Sequence, residues 1–178
     1  MTHVAIIGIG SPAGDDQAGW CVAHTLQRSD WPDHPSCQVS VIALDRPGTR
    51  LIRYLEGTDA AVLIDAMQGG REPGAIHRLD DPALLGQDTL ASSHGLGVAS
   101  ALELARALDL LPETLILYGI EIGDVSFNAA PSAAVRHAAA VVAAMIEAEV
   151  AERWPCRMPL SVAKTPEPSL HACGSRER

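Results

Sequence analysis

Two carboxylates and an imidazole stand where apolar runs of this chain give way to turns. Asp16 closes Val4-Ala5-Ile6-Ile7-Gly8-Ile9-Gly10-Ser11-Pro12-Ala13-Gly14-Asp15-Asp16, Asp65 follows Ala61-Val62-Leu63-Ile64, and His94 lies in Ser92-Ser93-His94-Gly95-Leu96-Gly97. Any one of them alone reads most simply as a cap on a turn or helix start. Together they make a metal or acid/base set if the runs are neighbouring strands, because in parallel α/β sheets ligands gather beyond the carboxyl ends of the strands. Asp65 in particular follows four apolar residues, and a carboxylate at that depth needs a cation, hydrogen-bond donors or a proton. Two carboxylates and one imidazole leave positions open on a divalent ion for attack by water, and the set is compatible with nickel or zinc.

The elements that would position these residues can be read from the pattern. Residues 4–9 form a continuous apolar, β-branched run, the signature of a strand buried on both faces. Residues 16–26 carry an apolar stripe at helical spacing. Residues 39–44 give a second strand closed by Asp45-Arg46-Pro47-Gly48, residues 49–55 a short helix, and residues 60–64 a third strand. After the turn at Arg71-Glu72-Pro73-Gly74, residues 75–79 alternate as a half-exposed edge strand, expected to pair beside the third. A helix over 96–108, a strand over 114–120 and an Ala-rich helix over 132–149, capped by Ser132 after Pro131, complete the order. Strands alternating with helices predict a three-layer α/β/α sandwich around a mostly parallel sheet with one antiparallel edge strand. The 178 residues are most simply one domain over 1–155, with a proline-containing, flexible tail over 156–178 that holds His171 and Cys173.

Composition narrows the partners. Aromatics are 3% of a chain that is 47% hydrophobic, so the core must be built from Ala, Val, Leu and Ile. The net charge of −9 argues against a nucleic-acid partner, whose phosphates require clustered Lys and Arg. Cys21, Cys37, Cys156 and Cys173 show no CxxC spacing and no dense framework, which fits reduced thiols in a cytoplasmic protein rather than zinc knuckles or disulfides. The first apolar run is too short for a signal segment, and no run is long enough to span a membrane.

Competing chemistries are weaker. Gly8-Ile9-Gly10-Ser11-Pro12-Ala13 is formally a dinucleotide fingerprint, and a Rossmann-like nucleotide-binding module is the alternative it suggests. Asp15 and Asp16, however, put negative charge at the helix end that should receive pyrophosphate, and no acidic residue closes a second strand at the required spacing. No Gly-x-Ser-x-Gly elbow or Cys–His pairing supports a serine or cysteine hydrolase. His24, His34, His77 and His137 read as surface or groove residues, and Trp20, Trp31 and Phe127 as core or rim packing.

Over residues 3–150 the chain resembles the hydrogenase maturation proteases, endopeptidases that remove a C-terminal extension from the large subunit of nickel-iron hydrogenases. The resemblance rests on the order and spacing of Gly8-Ile9-Gly10-Ser11-Pro12 with Gly14-Asp15-Asp16, Leu63-Ile64-Asp65-Ala66 followed by Glu72-Pro73-Gly74, Ser93-His94-Gly95-Leu96-Gly97, and Tyr118-Gly119-Ile120-Glu121. It implies that Asp16, Asp65 and His94 are the metal-contacting and catalytic trio. It further implies that the metal is nickel already held by the large-subunit precursor, and that Asp45, Gly48 and Thr49 line the cleft for the substrate tail. The family usually has Asn where Ser11 stands and a first loop one residue longer, which leaves Asp15 as the alternative to Asp16. The expected protein is a cytoplasmic monomer acting on that precursor, with no nucleic-acid or membrane partner. A non-catalytic nickel metallochaperone using the same trio is a further alternative.

Overall fold

The computed structural model describes residues 1–31, 36–80 and 96–154. Among the described residues the apolar runs become five strands: β1 (Thr2–Gly10), β2 (Cys37–Asp45), β3 (Ala60–Met67), β4 (Ile76–Leu79) and β5 (Thr114–Glu121). Among the described residues four helices accompany them: α1 (Ala18–Leu26), α2 (Ile52–Leu55), α3 (Leu96–Ala107) and α4 (Ala133–Arg153), with single 3-10 turns at Gly14–Gln17 and Gly48–Leu51 leading into the first two. Spatial order in the sheet is β2-β1-β3-β5-β4. All pairings are parallel except that of β4 with β5, so the single antiparallel edge strand is observed.

Alternation along the strands divides the core into two layers. Val4, Ile6, Val62, Ile64, Ile116 and Tyr118 pack under α1 and α4. Ala5, Ile7, Ile9, Leu63, Leu115 and Leu117 pack under α2 and α3. Successive strand residues point to opposite faces, so both sides of the sheet are apolar where helices cover them, giving the three-layer sandwich. As the sparse aromatics required, aliphatic side chains and alanines fill both layers.

Close approach of α1 explains Gly8 and Gly19. A Cβ on Gly8 would stand 2.1 Å from the Gly19 carbonyl oxygen, and one on Gly19 2.1 Å from the Ile9 oxygen and 2.6 Å from the Ile64 oxygen. Helix and sheet therefore touch backbone to backbone, and the glycine pattern is accounted for by packing with no need of a phosphate.

Two expectations require correction. The fourth strand pairs with β5, not β3: the chain leaves a strand's width free beside β3, and β5 fills it later. Sequential strands are neighbours only about two-thirds of the time. The third strand also runs on through Asp65 to Met67, because Ala66 and Met67 are themselves buried. Ser132 caps α4 as expected, its hydroxyl accepting from the Val135 amide at 3.3 Å. Arg78 ties the edge strand to the same helix, bonding Glu149 at 2.5 Å, while the Tyr118 hydroxyl donates to Glu149 at 2.8 Å. Among the described residues no helix is long and apolar enough to cross a membrane. Residues 156–178 lie outside the described residues.

Candidate active site

From β1 the chain crosses to β2 on one side and returns to β3 on the other. Such a reversal opens a crevice at the carboxyl ends of the strands. Here the ladder between β1 and β3 ends at Gly8↔Ile64, one residue before Asp65. Asp65 is therefore placed at the mouth of the split and is 1% exposed. Its Oδ1 accepts from the Ala66 amide at 2.9 Å. Counting alternately from Ala61 and Leu63 puts its side chain on the face covered by α2 and α3.

Asp16 reaches the same end of the sheet from the 3-10 turn that follows β1, and is 7% exposed. Its carboxylate accepts from the Ser11 hydroxyl. The Ser11 amide bonds the Asp16 carbonyl at 3.2 Å, closing the short loop on itself. Gly10 is needed there, since a Cβ would come within 2.8 Å of the Asp16 oxygen.

Asp15, its neighbour, faces elsewhere. Oδ1 accepts from the Ser132 amide at 2.6 Å, and Oδ2 from the amides of Gly123 and Asp124 at 3.1 Å each. Burial pushes this carboxyl up, but the amides of Ser132, Gly123 and Asp124 outweigh it and hold it below the ordinary aspartate range. The Asp15 amide also donates to the Asp124 carbonyl at 2.6 Å. Gly14 makes the approach possible: its φ is +51°, and a Cβ would lie 2.4 Å from the Asp124 oxygen. Gln17 adds a bond to the Ala129 carbonyl at 2.8 Å. The first loop is thus fastened to the loop between β5 and α4.

Asp45 ends β2 opposite Gly10 of β1. Half exposed, it pairs with Arg46 at 2.7 Å. The Asp45 hydrogen bond and charge hold the Arg46 guanidinium above its ordinary value, and the Asp16 charge adds to this, which places Arg46 within electrostatic reach of the site. Gly48 turns at φ +52° with open space on its Cβ side, and Thr49 is exposed. A Cβ on Gly97, at the start of α3, would reach within 4.0 Å of the Gly48 Cα. The proposed cleft residues and the start of α3 therefore share one rim. His94 lies outside the described residues. Among the described residues no three His, Cys, Asp or Glu side chains gather closely enough to hold a metal ion.

Sequence reasoning gave no site role to two groups at this end of the sheet. Glu121, the last residue of β5, is 1% exposed, and its Oε1 accepts from the Arg71 amide at 3.0 Å. His77 of β4, read as a surface or groove residue, has its Nε2 3.4 Å from Glu121 Oε2 with both side chains largely buried. The available signal was a charged residue terminating an otherwise apolar strand.

Comparison with known proteins bears on the family and the fold. A family profile described as hydrogenase maturation protease matches residues 21–149. Among curated proteins none matches by sequence. Among solved structures, the hydrogenase maturating endopeptidase HybD from E. coli superposes with a TM-score of 0.73 at 23% identity, covering 85% of this chain and 93% of that one. The [NiFe] hydrogenase maturation protease HycI from Thermococcus kodakarensis KOD1 gives 0.63 at 25% identity over 85% and 93%. The HybD protease of Thermococcus kodakarensis gives 0.66 at 22% over 84% and 99%.

Proposed function

The chain belongs to the hydrogenase maturation protease family, a family of peptide-bond hydrolases, and from that premise we propose which bond it cuts and how the bond is selected. The protein removes the C-terminal extension of a nickel-iron hydrogenase large-subunit precursor after nickel insertion. Asp16, Asp65 and His94 read the precursor's nickel by completing its coordination, so the metal arrives with the substrate. The observation that carries this reading is a carboxylate, Asp65, buried where β1 and β3 part, with Asp16 delivered to the same crevice by the loop after β1. Of the two consecutive aspartates Asp16 is the ligand, because both oxygens of Asp15 already accept backbone amides.

Seating the nickel would fix the precursor tail across the rim formed by Asp45, Gly48 and Thr49, bringing the scissile carbonyl beside the ion, which polarises it for attack by water. Holding the reacting groups in one geometry is worth several orders of magnitude in rate. The protein acts as a monomer in the cytoplasm.

Incubation of nickel-loaded and nickel-free large-subunit precursor with wild type, Asp65→Asn and His94→Ala, followed by intact-mass measurement, tests the reading. Wild type is expected to shorten only the nickel-loaded precursor, and each variant to be slowed at least about 100-fold. An uncut nickel-loaded precursor, or variants as fast as wild type, would sink it. A precursor bound and loaded with nickel by the chain yet left at full mass would point to the metallochaperone instead.

A further inference from the structure

Hydrolysis of a peptide bond needs a group that accepts a proton from the attacking water and supplies one to the leaving nitrogen. Four charged side chains are buried among the described residues: Asp15, Asp16, Asp65 and Glu121. Asp15 is occupied by three backbone amides, and on the reading above Asp16, Asp65 and His94 give their lone pairs to nickel. Glu121 is left, and the group it faces is an imidazole.

The placement of this pair relates it to Asp65. Leu115 and Leu117 of β5 face α2 and α3, so Gly119 and Glu121 continue that face, as Asp65 does on β3. Leu79 of β4 packs on the same side, and His77 shares its orientation. Gly119 is paired with Asp65 on one side and with His77 on the other. Glu121 is two residues further along, so its Cα lies roughly 8 Å from that of Asp65, given strands about 4.8 Å apart and about 3.3 Å of rise per residue.

The pair itself is incompletely satisfied. Nε2 of His77 and Oε2 of Glu121 are buried, 3.4 Å apart, and neither is aligned in a hydrogen bond with any described residue. Folded proteins retain few such groups, and where stability alone is at stake an apolar pair of similar volume serves as well or better. The cover over the carboxylate is thin. Gly69 is exposed, and a Cβ on it would stand 3.2 Å from Oε2. The exposed Gly69 backbone thus lies beside this oxygen, while the Met67 side chain fills the space over Gly119 between the pair and Asp65.

We propose that Glu121 and His77 form the proton-transfer pair of the proteolytic reaction, an assignment that rests on the endopeptidase reading above. The water oxygen bonds to the scissile carbonyl carbon as one of its protons passes to the pair. The C–N bond then breaks as the pair gives a proton to the leaving nitrogen. The products are a new carboxyl terminus and a free amine, and the pair returns to its starting state.

Steady-state cleavage of nickel-loaded precursor by wild type, Glu121→Gln, and His77→Ala with and without added imidazole tests the assignment. The expected result is a kcat lower by about 100-fold or more for both variants. KM should stay within twofold of wild type, and imidazole should restore part of the His77→Ala rate. A loss appearing in KM, a Glu121→Gln kcat within threefold of wild type, or a His77→Ala enzyme that imidazole does not rescue overturns it. Should Glu121→Gln fail to fold, the imidazole response alone decides. A wild type that leaves the precursor intact overturns both readings, whereas an active wild type with an equally active Glu121→Gln overturns this one alone.

Discussion

A carboxylate can be buried at little net cost when donors surround it, and Asp15 has three backbone amides within 3.1 Å. Hydrogen bonds to a charged acceptor contribute more than neutral ones, roughly 1.5 to 3 kcal/mol each. Asp15→Asn keeps the shape but turns one acceptor into a donor that faces an amide donor. The variant should lose about 2 kcal/mol at pH 7, read as a lower urea midpoint. The pH dependence follows from the direction of the shift. With the folded carboxyl held below its ordinary value, the stabilisation is fully present above the unfolded carboxyl's ~3.9. It is lost as the pH falls through the lower folded value. The gap between wild type and Asp15→Asn should accordingly narrow in urea titrations run progressively below pH 4, and a gap that widens there would contradict the assignment of Asp15 as an ionised clamp. Asp16, one residue on, makes a side-chain bond to Ser11 inside its own loop, which is why two identical neighbours take up different work.

At the level of elements, the sheet's split depends on α1 lying nearly flush against β1 and β3. Gly19 is the contact. Its missing Cβ would meet carbonyl oxygens of both strands at 2.1 and 2.6 Å, distances no rotamer change can relieve, since every neighbour is backbone. Gly19→Ala should therefore cost about 3 kcal/mol or more, the upper end for overpacking, and should lower cleavage of the precursor by moving the loop that carries Asp16. Chemical denaturation followed by circular dichroism checks the first part, and an unchanged midpoint would mean the helix rides further from the sheet. The same contact shows what the sequence could disclose. Continuous apolar runs revealed the parallel strands and the helices between them, because burial on both faces leaves a direct compositional trace. The glycine spacing at Gly8 and Gly10 was equally visible, but its cause was not: a turn around phosphate and a helix pressed on a strand need the same residue. Strand order was legible only in part. Ala75, Ile76 and His77 announced an edge strand, but the neighbour it takes depends on where β5 inserts, a contact more than 35 residues away in the chain. Asp65 and Asp16 stood out because acidic residues interrupt apolar runs. Glu121 gave the same signal at the end of β5, yet a charged residue at a strand terminus is ordinarily solvated, and here Gly69, the Arg71 amide and the facing His77 lie against it.

For the whole molecule, the question is how much of the chain the fold requires. Among the described residues the α1–α4 layer runs to Ile146 and Val150 with Trp154 packed against it, and the α2–α3 layer closes on α3 and β5. Family similarity covers residues 21–149, and the described residues end at Trp154, whose amide bonds back to the Val150 carbonyl at 3.0 Å. Stability arises mainly from apolar area removed from water, and the sequence of residues 156–178, with Pro159, Pro166 and Pro168 and no apolar period, offers no amphipathic element to add to either layer. Every candidate site residue, with Glu121 and His77, lies before that segment as well. A chain ending at residue 155 should then unfold at the same urea concentration as the full chain, within the equivalent of about 0.5 kcal/mol, as expected when no named packing mechanism is removed. It should also release the precursor's C-terminal peptide at an unchanged rate. Paired urea titrations and cleavage assays on the two lengths decide the matter. A lower midpoint would make the segment part of the domain, and an intact midpoint with a raised KM would make it part of the precursor's docking surface.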